Sequence, residues 1–225
     1  ERFIQPDNGF ADVKAVLEGA KYILMEQFAE DANLLENLRT TLHNDAKLSS
    51  RIVTGKEQEG AKFSDYFEHD EALKSVPSHR ALAMFRGRNE GVLSLSLVLG
   101  EPDALIHPCE MMVAQHFNIS HQGRAGDDWL AEVVRWTWRI KLSTHLETDL
   151  LGSLREQAET EAINVFARNL HDLLLAAPAG PRRTLALDPG LRTGCKVAVM
   201  DETGKLLATD TIFPHAPQNK WQQSL

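Results

Sequence analysis

Cysteine is nearly absent. Only Cys109 and Cys195 occur among 225 residues, which excludes a disulfide framework and suits a reducing compartment. Long apolar runs are missing too. The longest stretch, around Val92 to Leu99, is broken by Ser94 and Ser96 and falls far short of the ~20 residues of a membrane span. The start, Glu1-Arg2-Phe3-Ile4, has no signal-peptide pattern and no initiator Met, so a piece of a longer, cytoplasmic polypeptide without membrane contact is expected. A basic excess is also lacking. The chain has 24 Lys and Arg against 32 Asp and Glu, a net charge of −8. Such a surface is poorly suited to wrapping a phosphate backbone and leaves room only for a local basic patch.

What is present is an ordinary globular composition, with 43% hydrophobic and 25% charged residues. The pattern is helical over most of the length. Val13, Val16, Leu17, Ala20, Leu24 and Phe28 recur at helical steps and predict a first helix from Asp12. Asp31 or Asn33 caps a second, carrying Leu34, Leu35, Leu38 and Leu42. Phe63, Tyr66 and Phe67 suggest a short aromatic-pinned helix. Ser78 is the expected N-cap of a helix that Gly91 stops. Residues 92–98 alternate in part and read as a strand, with Arg51-Ile52-Val53 as its nearest partner.

Asp127 or Asp128 is expected to cap a helix whose face is Leu130, Val133, Val134, Thr137 and Ile140, broadened by Trp129, Trp136 and Trp138. Burial of these tryptophans outweighs base stacking as their reading. Leu146 to Leu175 holds a helical period for about eight turns. Ala179-Gly180-Pro181 then closes the helical part. From Thr184 the period becomes strand-like. Three strands follow, the last two joined by the turn Asp201-Glu202-Thr203-Gly204. The organisation is thus mainly α. A multi-helix domain covers 1–180, with a small β element near 51–53 and 92–98, and an antiparallel three-strand segment covers 184–225.

The run Leu187-Asp188-Pro189-Gly190-Leu191-Arg192-Thr193-Gly194 carries the chemistry. One carboxylate ends a strand, and glycines follow at two and six residues. Asp188 could hold a divalent cation through hard oxygen ligands, with the glycine turn admitting a phosphate to the backbone. The same residues also make an ordinary Asp-Pro-Gly turn. Arg80, Arg86 and Arg88 form the main basic cluster. Phosphate contact is one reading, and the acidic balance favours the other, pairing with Glu90 or Glu101. His107, Cys109, His116 and His121 lie close in sequence but lack a tight zinc spacing, and they read as helix and loop residues rather than metal ligands.

These blocks resemble one family. Lys62-Phe63-Ser64-Asp65-Tyr66-Phe67-Glu68, Pro77-Ser78-His79-Arg80-Ala81-Leu82-Ala83 with Arg86-Gly87-Arg88-Asn89-Glu90-Gly91, and above all Leu187 to Gly194 are similar to the bacterial Tex transcription accessory proteins. The resemblance implies that residues 184–225 open a YqgF domain, a ribonuclease H-like α/β fold related to RuvC-type resolvases. It implies a transcription role, with RNA or other nucleic acid and RNA polymerase as partners. It also implies modules outside this chain, including helix-hairpin-helix elements and an S1 domain.

In that frame Asp188 is the candidate catalytic acid, and Gly190, Arg192 and Gly194 join Arg80, Arg86 and Arg88 as candidate nucleic-acid contacts. Mg²⁺ or Mn²⁺ enters only if the complete YqgF-like domain is active, because the related nucleases clamp two metal ions with several carboxylates. This chain holds one matching acid, and only three residues separate Gly190 from Gly194 where the relatives have four. The expectation is therefore a non-catalytic scaffold. The alternatives are a metal-dependent nuclease using Asp188 with acids beyond residue 225, and a protein-binding helical module.

Overall fold

The computed structural model describes residues 2–101, 104–190 and 193–225. They fall into two compact units, Glu1–Ala167 and Arg168–Leu225. The first unit begins with α1 (Val13–Ala29) and α2 (Ala32–Asp45). Both start at an aspartate that accepts a backbone N–H in the first turn: Asp12 from Ala15 and Asp31 from Leu34, each at 2.8 Å. Each cap satisfies one orphan donor of its helix.

The buried stripe of α1 is Lys21, Met25 and Phe28. This corrects the expected face, because Val13 and Leu17 are exposed. A lysine masks the true stripe in the sequence. Its stem is buried while Nζ pairs with Glu18 at 2.9 Å and Glu132 at 3.2 Å and sits 4.3 Å from the Trp136 ring centre.

A small antiparallel sheet follows. β1 (Lys47–Ile52) lies between β2 (Glu68–Ala72) and β3 (Leu93–Val98), in the order β2-β1-β3. Arg51 stands opposite Ser94 and Ile52 opposite Leu93, so the expected 51–53 and 92–98 partnership is present and longer. β2 is the addition. It carries no large apolar residue and is held in part by a two-pronged pair from Arg51 to Asp70, at 2.9 and 2.7 Å. α3 (Ser78–Asn89) starts one residue earlier than expected at its cap: Pro77, not Ser78, is the N-cap, and it makes no side-chain cap bond.

α4 (Pro108–His116) and α5 (Asp127–Trp136) complete the smaller helices. α5 runs through a π-helical stretch, Thr137–Leu142, into α6 (Ser143–Leu174). The wider turn shifts the helical phase. Trp138 is turned into the core and Ile140 out to solvent, which corrects the expected inward Ile140. Gly126, not an aspartate, caps α5. The core joins Met25, Leu34, Leu38, Leu48, Met84, Val113, Val133, Leu142 and Leu146 in one cluster. The α6 period extends well beyond that core. Leu146, Leu150 and Ala158 are buried, whereas Ile163, Phe166, Leu170 and Leu173 are exposed.

The second unit contains a three-stranded antiparallel sheet of β4 (Thr184–Gly190), β5 (Gly194–Met200) and β6 (Leu206–Ile212), in chain order. The Asp201–Gly204 turn joins the last two. Asp201 accepts from the Thr203 and Lys205 amides and from the Thr203 hydroxyl, and Gly204 takes a φ of +82° that suits glycine. The mainly helical part followed by a three-strand antiparallel sheet is the fold expected from the sequence.

Candidate functional site

Asp188 lies near the end of β4. The register places Lys196 of β5 directly opposite it, and Thr211 of β6 opposite Lys196. Lys196 Nζ is 3.8 Å from Asp188 Oδ2. Side chains alternate between sheet faces along a strand. Asp210 pairs with Val197, which pairs with Leu187, so it belongs to the neighbouring row. Asp188 therefore shares its row, among the described residues, with a cation and a hydroxyl and with no second carboxylate. The surrounding surface is an open trough of about 600 Å³ whose walls include the small residues Ala186, Ala198 and Thr209 and, from the neighbouring row, Asp210. Mg²⁺ or Mn²⁺ in the manner of two-metal nucleases does not fit this donor set, because it requires several hard oxygen ligands.

Gly190 and Gly194 are ladder partners at the closed end of β4 and β5. A Cβ on Gly190 would meet Thr193 Oγ1 at 2.4 Å and the Gly194 carbonyl oxygen at 2.7 Å. Gly194 has φ +83°, and a Cβ there would meet the Phe213 ring at 2.6 Å. Close approach within the turn thus requires Gly190, and close approach to the end of β6 requires Gly194. Arg192 lies outside the described residues.

The three arginines of α3 are exposed, and each has a partner within the chain. Arg80 pairs with Glu71 of β2 at 3.1 Å, and Arg86 with Glu90 at 2.8 Å. The Arg88 guanidinium sits 5.3 Å from the Phe85 ring centre. Glu90 also pairs with Lys62 at 2.6 Å, and that contact, more than Arg86, lowers its pKa. Residues 1–167 carry 17 Lys and Arg against 27 Asp and Glu, while residues 168–225 carry seven against five. The excess negative charge belongs entirely to the unit that holds the arginine cluster.

The histidines and cysteine of the 107–121 segment are dispersed among separate contacts. His116 Nε2 is 3.1 Å from Asp31, and His121 Nε2 is 3.4 Å from Asp128. Cys109 is buried, and burial pushes its thiol up to about 12. His107 caps α4. Its Nδ1 accepts the Cys109 N–H at 3.1 Å, and its ring stacks on Trp138 with centres 5.0 Å apart. Among the described residues no group of three or more His, Cys, Asp or Glu is placed to hold a metal ion.

The His107 cap needs a neutral ring, and burial lowers its pKa from 6.5. The unfolded chain then takes up the proton first. The stabilisation is complete above that value and declines as pH falls through it towards the depressed folded value. Urea midpoints of the wild-type chain are expected to fall from about pH 7.5 to about pH 5.5, and His107→Gln should flatten that part of the profile.

Asp127, expected as a cap, has a different task that spacing alone did not show. Its nearly buried carboxylate accepts from the amides of Arg124 at 2.9 Å and Gln122 at 2.6 Å, and from Arg124 Nε at 2.7 Å. The two backbone donors, Arg124 foremost, lower its pKa to about 2. It ties the 122–126 loop to the start of α5.

A helical domain, then a strand ending in an acid, a glycine turn and an antiparallel hairpin, defines a class: a helical module joined to the opening strands of a ribonuclease H-like domain. The chain belongs to the Tex family. Residues 1–166 match the Tex central region-like family, and residues 182–225 match the Tex protein YqgF-like domain. It is 60% identical over 221 residues to Protein YhgF of Escherichia coli strain K12, covering 96% of this chain and 28% of that protein. It is 52% identical over 211 residues to the transcriptional accessory protein Tex of Neisseria gonorrhoeae, covering 92% of this chain and 27% of that protein. The human S1 RNA-binding domain-containing protein 1 is 26% identical over 234 residues, covering 96% of this chain and 22% of that protein. The chain thus spans little more than a quarter of the length of its bacterial relatives. Among the described residues no helix is long and apolar enough to cross a membrane.

Proposed function

We propose that this chain is the central scaffold of a Tex-type transcription accessory protein in the cytoplasm, positioning nucleic-acid-binding modules without catalysing a reaction itself. One observation carries the reading. Arg80, Arg86 and Arg88, the densest basic cluster, are exposed but each is already partnered by a neighbouring side chain, within a unit whose charge is strongly negative. A polyanion gains little from such a surface. RNA or other nucleic acid would then be held by parts of the polypeptide outside residues 1–225, and contact with RNA polymerase belongs to the same reading. The human relative, S1 RNA-binding domain-containing protein 1, supports it by its name.

A second reading, a metal-dependent nuclease, draws on the strand-end position of Asp188 and the YqgF-like match of residues 182–225. A cleavage assay separates the two. Full-length protein is incubated with labelled single-stranded RNA and branched DNA in Mg²⁺ or Mn²⁺. The expected outcome is no cleavage above buffer and no difference with Asp188→Asn. Metal-dependent cleavage that Asp188→Asn abolishes would replace the scaffold reading with the nuclease.

A further inference from the structure

We propose that Lys196 is the resident counter-cation of Asp188 and keeps divalent cations off this face of the YqgF-like sheet. The idea deepens the non-catalytic reading and rests on it. The register sets the two residues directly across β4 and β5, with Nζ 3.8 Å from Oδ2. Alternation puts Asp210, which also lines the trough, in the neighbouring row, where its carboxylate accepts the Thr211 N–H at 2.7 Å, and leaves Thr211 as the third member of the Asp188 row. A divalent ion at Asp188 would face an ammonium group instead of a second oxygen ligand.

Steric exclusion does not explain the effect. The trough is open, and Ala186, Ala198 and Thr209 leave ample space for a hydrated ion. Structural necessity does not explain Lys196 either. Both side chains are largely exposed, and such pairs add little to stability. What Lys196 supplies is local charge. The other acids near the sheet have their own partners: Asp201 in its turn, and Glu202 with Arg183 at 3.7 Å.

The test titrates Mn²⁺ into the isotope-labelled 225-residue chain and follows paramagnetic broadening of the amides of residues 186–188, 196–198 and 209–211. Wild type is expected to show no selective broadening there up to about 1 mM, and Lys196→Arg should behave alike because the charge is kept. Lys196→Asp creates two facing carboxylates and should broaden the same amides at a concentration at least ~10-fold lower, an effect that Asp188→Asn in that background removes. Because the site is at the surface, all variants are expected to keep dispersed spectra. Broadening of wild type at the same concentration as Lys196→Asp, or no gain in Lys196→Asp, overturns the proposal. Cleavage that depends on acids elsewhere would overturn the scaffold reading while leaving this result in place, so the two failures are distinguishable.

Discussion

Gly194→Ala is expected to accelerate amide hydrogen exchange across β5 and β6 by about 30- to 5,000-fold, corresponding to ~2–5 kcal/mol. The substitution carries two costs. A side chain at φ +83° enters the left-handed region, at roughly 1–2 kcal/mol. The new Cβ would also lie 2.6 Å from Phe213 Cε1 and 2.9 Å from the Ile212 carbonyl oxygen. The ring can rotate. The carbonyl belongs to the β6 ladder and cannot move without loosening it, so overpacking adds roughly 1–3 kcal/mol. The amides of β1 and β3 serve as the internal reference. The result also decides what the glycine is for. If it existed only to admit a phosphate, Ala would leave exchange in β5 and β6 within about threefold of wild type and affect binding alone.

The sequence disclosed those parts of the fold where one residue type has one dominant use. Asp31 read as a cap, with Asn33 as the alternative, because a carboxylate before a helical run has few other tasks, and the cap role of Asp12 appeared only in the structure. The partnership of 51–53 with 92–98 was legible because an apolar strand needs a neighbour. β2 was not, since Glu68-His69-Asp70-Glu71-Ala72 has no hydrophobic alternation and is ordered by pairing with β1. Lys21 hid the inward stripe of α1, because a lysine with two acidic partners and a tryptophan looks like a surface residue when only spacing is considered. Ile140 was misplaced because a fixed 100° per residue fails across a π turn. The α6 pattern was periodic throughout, yet a period shows only that a face exists, not that anything covers it.

The candidate site divides in the same way. Asp188, Gly190 and Gly194 stood out by type and spacing. Lys196 did not, because its relation to Asp188 exists only through the strand register that the glycine turn sets. The arginine cluster was visible, but one of its partners was not the acid expected: Arg80 reaches Glu71 on β2, a strand the pattern concealed.

Nucleic-acid affinity carries the largest difference expected between this chain and the whole polypeptide. The surface pairing of Arg80, Arg86 and Arg88 with neighbouring side chains, and the acidic excess of residues 1–167, predict weak and nonspecific binding by residues 1–225 alone. Such binding is expected at a Kd of about 10⁻⁴ M or weaker near physiological salt, with the full-length protein at least ~100-fold tighter. The direct measurement is fluorescence anisotropy of labelled single-stranded RNA and duplex DNA, titrated with each protein at two salt concentrations. The scaffold account predicts that only the full-length protein binds tightly and that Arg80→Ala, Arg86→Ala and Arg88→Ala leave its affinity unchanged. Tight, salt-dependent binding by residues 1–225 alone, weakened by those same substitutions, would contradict it and make the α3 arginines the phosphate contacts.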